Sequence, residues 1–146
     1  DADGRITAHG RKIAALPLHP RLAHMLIRAG AQAAPLAALL AGRDPLRGAP
    51  VDLSLRVQAL RGEYNGPGQV QHAALSQIKA EIPRLTQAVP SDTPPLSLAA
   101  MAALAYPDRI GLRRQGGDPR YILSGGKGAV MDAADPIAGA RLIIAI

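Results

Sequence analysis

The chain has no cysteine, no phenylalanine and no tryptophan, and its only aromatic rings besides histidine are Tyr64, Tyr106 and Tyr121. Without cysteine there are no disulfides and no thiolate metal sites, which suits a cytoplasmic protein. Without large rings, a core has to be built from Leu, Ile, Val, Ala and Met. No apolar run approaches the roughly 18–20 residues that span a bilayer, and no basic-then-apolar leader opens the sequence. Neither a membrane partner nor a secretory route is expected. The 146 residues open at Asp1 rather than methionine and close on the apolar run Leu142–Ile146, so they read as a fragment of something longer. That length holds one ordinary domain or two small ones.

Basic charge is plentiful: 17 Lys and Arg stand against 11 acids. Residues 1–62 carry nine bases and four acids, residues 63–108 two and four, and residues 109–146 six and three. Two basic flanks around a mildly acidic middle suit a polyanion held between them. The plainer alternative is a surface solvated by arginine.

The stretch from Arg5 to Gly30 organises the rest. Thr7 can cap an Ala-rich helix that Pro17 must end, because proline lacks an N–H and clashes with the preceding turn. Pro17-Leu18-His19-Pro20 then forms a stiff corner, with Pro20 suited to the first turn of a second helix and Gly30 to its end. In that helix Leu22, Met25, Leu26 and Ala29 share one apolar face, while Arg21, His24 and Arg28 lie on another. Further helices are expected over Pro35 to Ala41, over Val51 to Tyr64 with Asp52 as N-cap, and over Gln69 to Val89. The last of these carries Val70, Ala74, Ile78 and Ile82 on one stripe and a kink or a restart at Pro83. Val89-Pro90-Ser91-Asp92-Thr93-Pro94-Pro95 is dense in breakers and reads as a linker. A domain boundary is placed there, giving units 1–92 and 93–146. A short helix over Leu96 to Ala105 follows. Strands are then expected at Arg109 to Arg114, Tyr121 to Leu123, Ala129 to Met131 and Arg141 to Ile146, separated by glycine-rich turns. The fold class is therefore α+β: an all-α bundle, then a small and incomplete β domain with a free sheet edge.

Few residues point to chemistry. Ser124-Gly125-Gly126-Lys127-Gly128-Ala129 lacks the spacing of a nucleotide-binding phosphate loop and reads as a hairpin turn. His9, His19, His24 and His72 show no metal-ligand spacing, so no metal site is expected. No catalytic set converges, and Asp108 beside Arg109 reads as a structural ion pair or turn cap.

Two segments carry a family resemblance. The first is Ile6-Thr7-Ala8-His9-Gly10 with Ala14-Ala15-Leu16-Pro17-Leu18-His19-Pro20-Arg21-Leu22-Ala23-His24-Met25-Leu26. The second is Leu104-Ala105-Tyr106-Pro107-Asp108-Arg109-Ile110, and Arg43-Asp44-Pro45-Leu46 adds a weaker match. Together they resemble the helicase-associated C-terminal region of bacterial HrpB-type DEAH-box ATP-dependent helicases. The resemblance implies that residues 1–92 hold the end of a winged helix plus a helical bundle, and that 93–146 hold a short helix plus part of an OB-like domain. It implies an accessory fragment with no ATPase site, while ATP and Mg serve the motor domains of the parent. The implied partners are those motor domains and single-stranded nucleic acid, RNA in the first instance. Contacts would be sequence-tolerant and directed at the backbone. The residues expected to make them are Arg21, Arg28, Arg113, Arg114, Arg120 and Lys127. Tyr121 is a candidate to stack a base, with a half-buried strand position as the plainer reading. The alternative function is a docking module that does not bind nucleic acid by itself.

Overall fold

A computed structural model of the chain describes residues 4–146; Asp1, where the sequence opens, lies outside the described residues. Helix α1 (Ala8–Ala14) starts as expected, with Thr7 Oγ1 accepting the Gly10 N–H at 2.9 Å. After the proline corner, α2 (Pro20–Ala29) is capped by His19, whose Nδ1 accepts the Arg21 N–H at 3.2 Å. Gly30 ends α2 at φ 74°, and a short 3-10 turn over Gly30–Ala33 leads into α3 (Ala34–Ala41). Gly30 is needed twice. Its φ suits glycine, and a Cβ there would meet Thr93 Oγ1 at 2.5 Å and the Pro90 carbonyl at 2.6 Å.

Helix α3 is apolar all round, so it can only be stable with neighbours on several sides. It sits against α2 and α5 (His72–Gln87) and buries Ala34, Leu36, Ala37, Ala38 and Leu39. Around it, Leu22, Met25 and Leu26 from α2 and Ile78 and Leu85 from α5 complete one core. The apolar face read on α2 is thus the buried one. Helix α4 (Leu53–Arg61) packs its half-buried Leu53, Val57 and Leu60 against the same core. Asp52 caps it, and Gly62 stops it earlier than expected in a left-handed conformation at φ 75°.

Helix α5 departs from the sequence expectation at its start. It begins at His72, because Gln69–Val70 (β2) pairs antiparallel with Leu46–Arg47 (β1) in a two-stranded ribbon. Val70 therefore faces Leu46 across a ladder and is not the first member of a helical stripe. Pro83 lies inside α5, and the helix carries on to Gln87. Both Pro83 and Lys79, whose carbonyl loses its usual helical donor, are exposed, so water can serve that carbonyl.

The Pro-rich segment is held closely. Gln32 Nε2 donates to the Ala29 carbonyl (2.9 Å), Thr93 Oγ1 (3.1 Å) and the Pro94 carbonyl (2.7 Å), and Gln32 Oε1 accepts the Leu96 N–H (2.8 Å). Thr93 Oγ1 donates to the Ala29 carbonyl at 2.6 Å, and the Ala31 N–H donates to Pro90. Fastened this way, the segment delivers α6 (Leu98–Ala105) onto α2, where Met101, Ala102 and Ala105 enter the helical core.

A 3-10 turn over Pro107–Arg109 then opens a four-stranded antiparallel sheet of order β5-β4-β3-β6. Its strands are β3 (Ile110–Arg113), β4 (Arg120–Leu123), β5 (Gly128–Val130) and β6 (Leu142–Ile144). All four expected strands form: the first and last are shorter than expected, the second begins one residue earlier, and the third is shifted back by one residue. The fold is α+β. Leu112 pairs with Ile122 on one side and Leu142 on the other, a row of aliphatic side chains 45%, 51% and 61% exposed. Among the described residues no helix is long and apolar enough to cross a membrane.

Candidate nucleic-acid interface

The strand register decides which of the basic residues can act together. Arg113 ends β3, and its N–H donates to the Arg141 carbonyl at 2.9 Å, one step beyond the Leu112–Leu142 pair. The next residue, Arg114, donates its N–H to the Arg120 carbonyl at 2.8 Å. Arg113, Arg114, Arg120 and Arg141 therefore lie at one end of the sheet, with Arg113 and Arg141 on the face of Tyr121 and Arg114 and Arg120 on the other. The sequence reading had three of these four. Arg141, which opens the expected last strand, is not among the residues expected from sequence to bind nucleic acid.

Little negative charge balances this end. Asp118 lies 3.4 Å from Arg120, but the pair is 64% and 74% exposed and contributes little. Among the described residues Arg113, Arg114 and Arg141 make no ion pair. Arg113 Nη2 has one long contact with the Gly117 carbonyl (3.5 Å), and its Nε is buried without a hydrogen-bond partner.

Tyr121 sits beside this cluster, opposite Arg113 in β4, but it is only 1% exposed. Its hydroxyl reaches the carbonyls of Ala138 (3.1 Å) and Ala140 (3.0 Å) in the β5–β6 connection. The ring has no face open to a base, and the residue acts as an internal tie.

The remaining expected residues are placed elsewhere. Lys127 lies in the β4–β5 turn, where its carbonyl accepts the Leu123 N–H and Gly126 adopts φ 84°; this is the opposite end of the sheet. Ser124-Gly125-Gly126-Lys127 is thus a hairpin turn, docked through the Gly125 N–H on the Asp108 carbonyl. Arg28 is exposed on the last turn of α2 and makes no ion pair among the described residues.

Arg21 is engaged within the fold. Its guanidinium grips both Asp108 oxygens (2.5 and 3.2 Å) and donates to the Ala105 carbonyl (3.2 Å). The hydrogen bond from Arg21 holds the Asp108 carboxyl below the usual carboxylate range, and the reciprocal bond raises Arg21. Tyr106 has two guanidinium groups near its ring, Arg21 at 5.5 Å and Arg109 at 5.1 Å. Asp108 is a structural ion-pair member, as its position suggested, but its partner comes from α2. A second tie of this kind joins Arg56 to Asp44. Burial pushes the Asp44 carboxyl up, yet hydrogen bonds from Arg56 and the Leu46 N–H outweigh it and leave the group lowered. Among the described residues no group of three or more His, Asp or Glu could hold a metal ion.

No family model matches the chain. It is 34% identical to the ATP-dependent RNA helicase HrpB of Escherichia coli K12, over 97% of this chain and 16% of that protein. Two solved structures are similar in fold. The E. coli DExH-box NTPase HrpB matches with a TM-score of 0.69 at 34% identity, over 96% of this chain and 16% of that one. The E. coli DEAH/RHA helicase HrpB matches with a TM-score of 0.68 at 36% identity, over 97% and 17%. The chain spans about a sixth of the length of these relatives. In sequence and in fold it is similar to one segment of HrpB, and it fits the C-terminal helicase region that its two motifs resemble.

Proposed function

We propose that this chain is an accessory region of an HrpB-type ATP-dependent helicase that contacts single-stranded nucleic acid and the motor domains of the same protein. The observation that carries the nucleic-acid part is the arginine cluster at the sheet end, Arg113, Arg114, Arg120 and Arg141, with one exposed acid among them. Guanidinium groups suit phosphate because their fork of N–H donors matches its oxygens. With Tyr121 buried, binding is electrostatic and indifferent to base identity. RNA is the expected strand, since the E. coli relative is an ATP-dependent RNA helicase. ATP and Mg belong, in this reading, to the motor domains, while this region forms a wall of the channel.

Fluorescence-anisotropy titration with a labelled single-stranded RNA tests the proposal. Binding should fall steeply between low and moderate salt, and changing Arg114 and Arg120 to Gln should weaken it. Absence of binding at low salt would overturn an autonomous nucleic-acid role.

A docking role that needs no nucleic acid is favoured by a different observation. Leu112, Ile122 and Leu142 form an uncharged row across three strands. Contiguous exposed apolar surface of this kind commonly marks a protein interface. Tight binding to separately produced motor domains, lost on changing Ile122 to Asp, would support that reading.

A further inference from the structure

We propose that Arg113 and Arg141 form a two-armed clasp for one phosphodiester group, and that Tyr121 is the positioning residue that sets the distance between its arms. This rests on the nucleic-acid reading above and goes beyond it by assigning the clasp, the role of Arg141 and the role of Tyr121.

The register comes first. A hydrogen-bonded antiparallel pair sends both side chains out of the same face of the sheet, with Cα atoms about 5.5 Å apart. Arg113 and Arg141 form such a pair by the bond from the Arg113 N–H to the Arg141 carbonyl. Two like charges placed directly opposite destabilise a sheet. Among the described residues neither forms an ion pair with an acid that would offset this. An anion between them turns the repulsion into two favourable contacts.

Arg113 adds a second observation. Its Nε is buried without a hydrogen-bond partner, a costly arrangement that also keeps it out of a ligand's reach and leaves contact to the Nη atoms. Its one recorded side-chain hydrogen bond is the 3.5 Å contact to Gly117, so the guanidinium retains donors for a ligand.

The third observation is the stiffness of the mount. Arg141 follows Ala140, whose carbonyl accepts the Tyr121 hydroxyl at 3.0 Å. Arg141 itself is tied through its carbonyl to Arg113. Tyr121 stands opposite Arg113 on the other side, in β4. The row Tyr121–Arg113–Arg141 thus crosses three strands, and the tyrosine anchors the arriving end of β6 to β4. An oriented pair binds a shared oxyanion more tightly than two loose arginines, because less side-chain and backbone freedom is lost.

The test uses the 146-residue chain and a fluorescent single-stranded RNA, titrated at several salt concentrations, with R141Q, R114Q, R113Q/R141Q and Y121F. R141Q is expected to weaken binding several-fold and to lower the slope of log K against log salt by about 0.7, the loss of one cationic contact. Y121F should weaken binding in the parent chain and have no further effect in R113Q/R141Q, which a merely structural tyrosine would not do. The melting temperature of R141Q should equal or exceed that of the parent, since a repulsion is removed. If R141Q binds like the parent while R114Q is weakened, the clasp is wrong and the broader interface stands. If the parent chain binds no RNA at any salt, both fall.

Discussion

His9 Nε2 and His24 Nδ1 lie 2.8 Å apart with their rings nearly perpendicular, so one imidazole N–H and one lone pair join α1 to α2. The bond needs one bare nitrogen between the rings. Two imidazolium ions would set N–H against N–H. Among the described residues no carboxylate offsets that charge: α1 contributes Arg11 and Lys12, α2 contributes Arg21 and Arg28, and the packed faces of α3 and α6 carry no charged residue. Burial first, then His9 and Arg28, push His24 below the ordinary imidazole value.

A base whose folded pKa is depressed binds fewer protons when folded, so its contribution is complete above the unfolded value of about 6.5 and is lost as pH falls below it. The melting temperature should therefore drop between about pH 7.5 and about pH 5, in a window set by histidine. His24→Gln, which can still hydrogen bond but cannot titrate, should flatten that drop. An unchanged pH profile in H24Q would refute the assignment. Asp44 and Asp108, also lowered, lose their contribution only as pH falls through the lower carboxylate range.

Gln32 makes four side-chain hydrogen bonds that fasten the Pro-rich segment to the end of α2. Gln32→Leu keeps the bulk and removes them all. The expected loss is on the order of 1–3 kcal/mol, because partly buried polar groups are left unpaired. Gly30→Ala should cost a similar amount by a different route, a Cβ pressed on Thr93 and Pro90 at positive φ. Urea unfolding of each variant checks both values. A midpoint unchanged from the parent in Q32L would show that the segment is held by packing alone.

Pro83 offers a stabilising change. It lies inside α5 and is exposed, so replacing it by Ala forfeits little packing and restores an N–H for the Lys79 carbonyl. Proline in a helix interior costs up to about 3 kcal/mol relative to Ala, and P83A should recover roughly 1–2 kcal/mol of it. Thermal unfolding with far-UV circular dichroism should show a higher midpoint and no loss of helix signal.

Much of the fold was legible where the deciding contact is local. Thr7 and Asp52 act within three residues of their own positions, Pro20 opens its helix and Gly30 ends it through their own backbones, so the boundaries they set follow from chemistry visible in the sequence. Misreadings arose where the deciding partner is distant. Val70 matched a helical stripe, and only the proximity of Leu46 makes it a strand residue. Arg21 looked like a free basic face, and its carboxylate partner lies 87 residues on. Tyr121 points inward because the connection carrying Ala138 and Ala140 crosses its face of the sheet, something no pattern around residue 121 encodes. Arg141 became visible only once strand pairing set it beside Arg113.

The packing of α6 on α2 has a consequence for how the chain is made. Leu22, Met25 and Leu26 share their core with Met101, Ala102 and Ala105. A nascent chain that has emerged only as far as α5 therefore still shows part of the α2 face to solvent, and it stays in that state until the ribosome has released another stretch. During synthesis this region behaves as a late-closing unit, with a period in which chaperones or neighbouring segments can compete for the uncovered leucines.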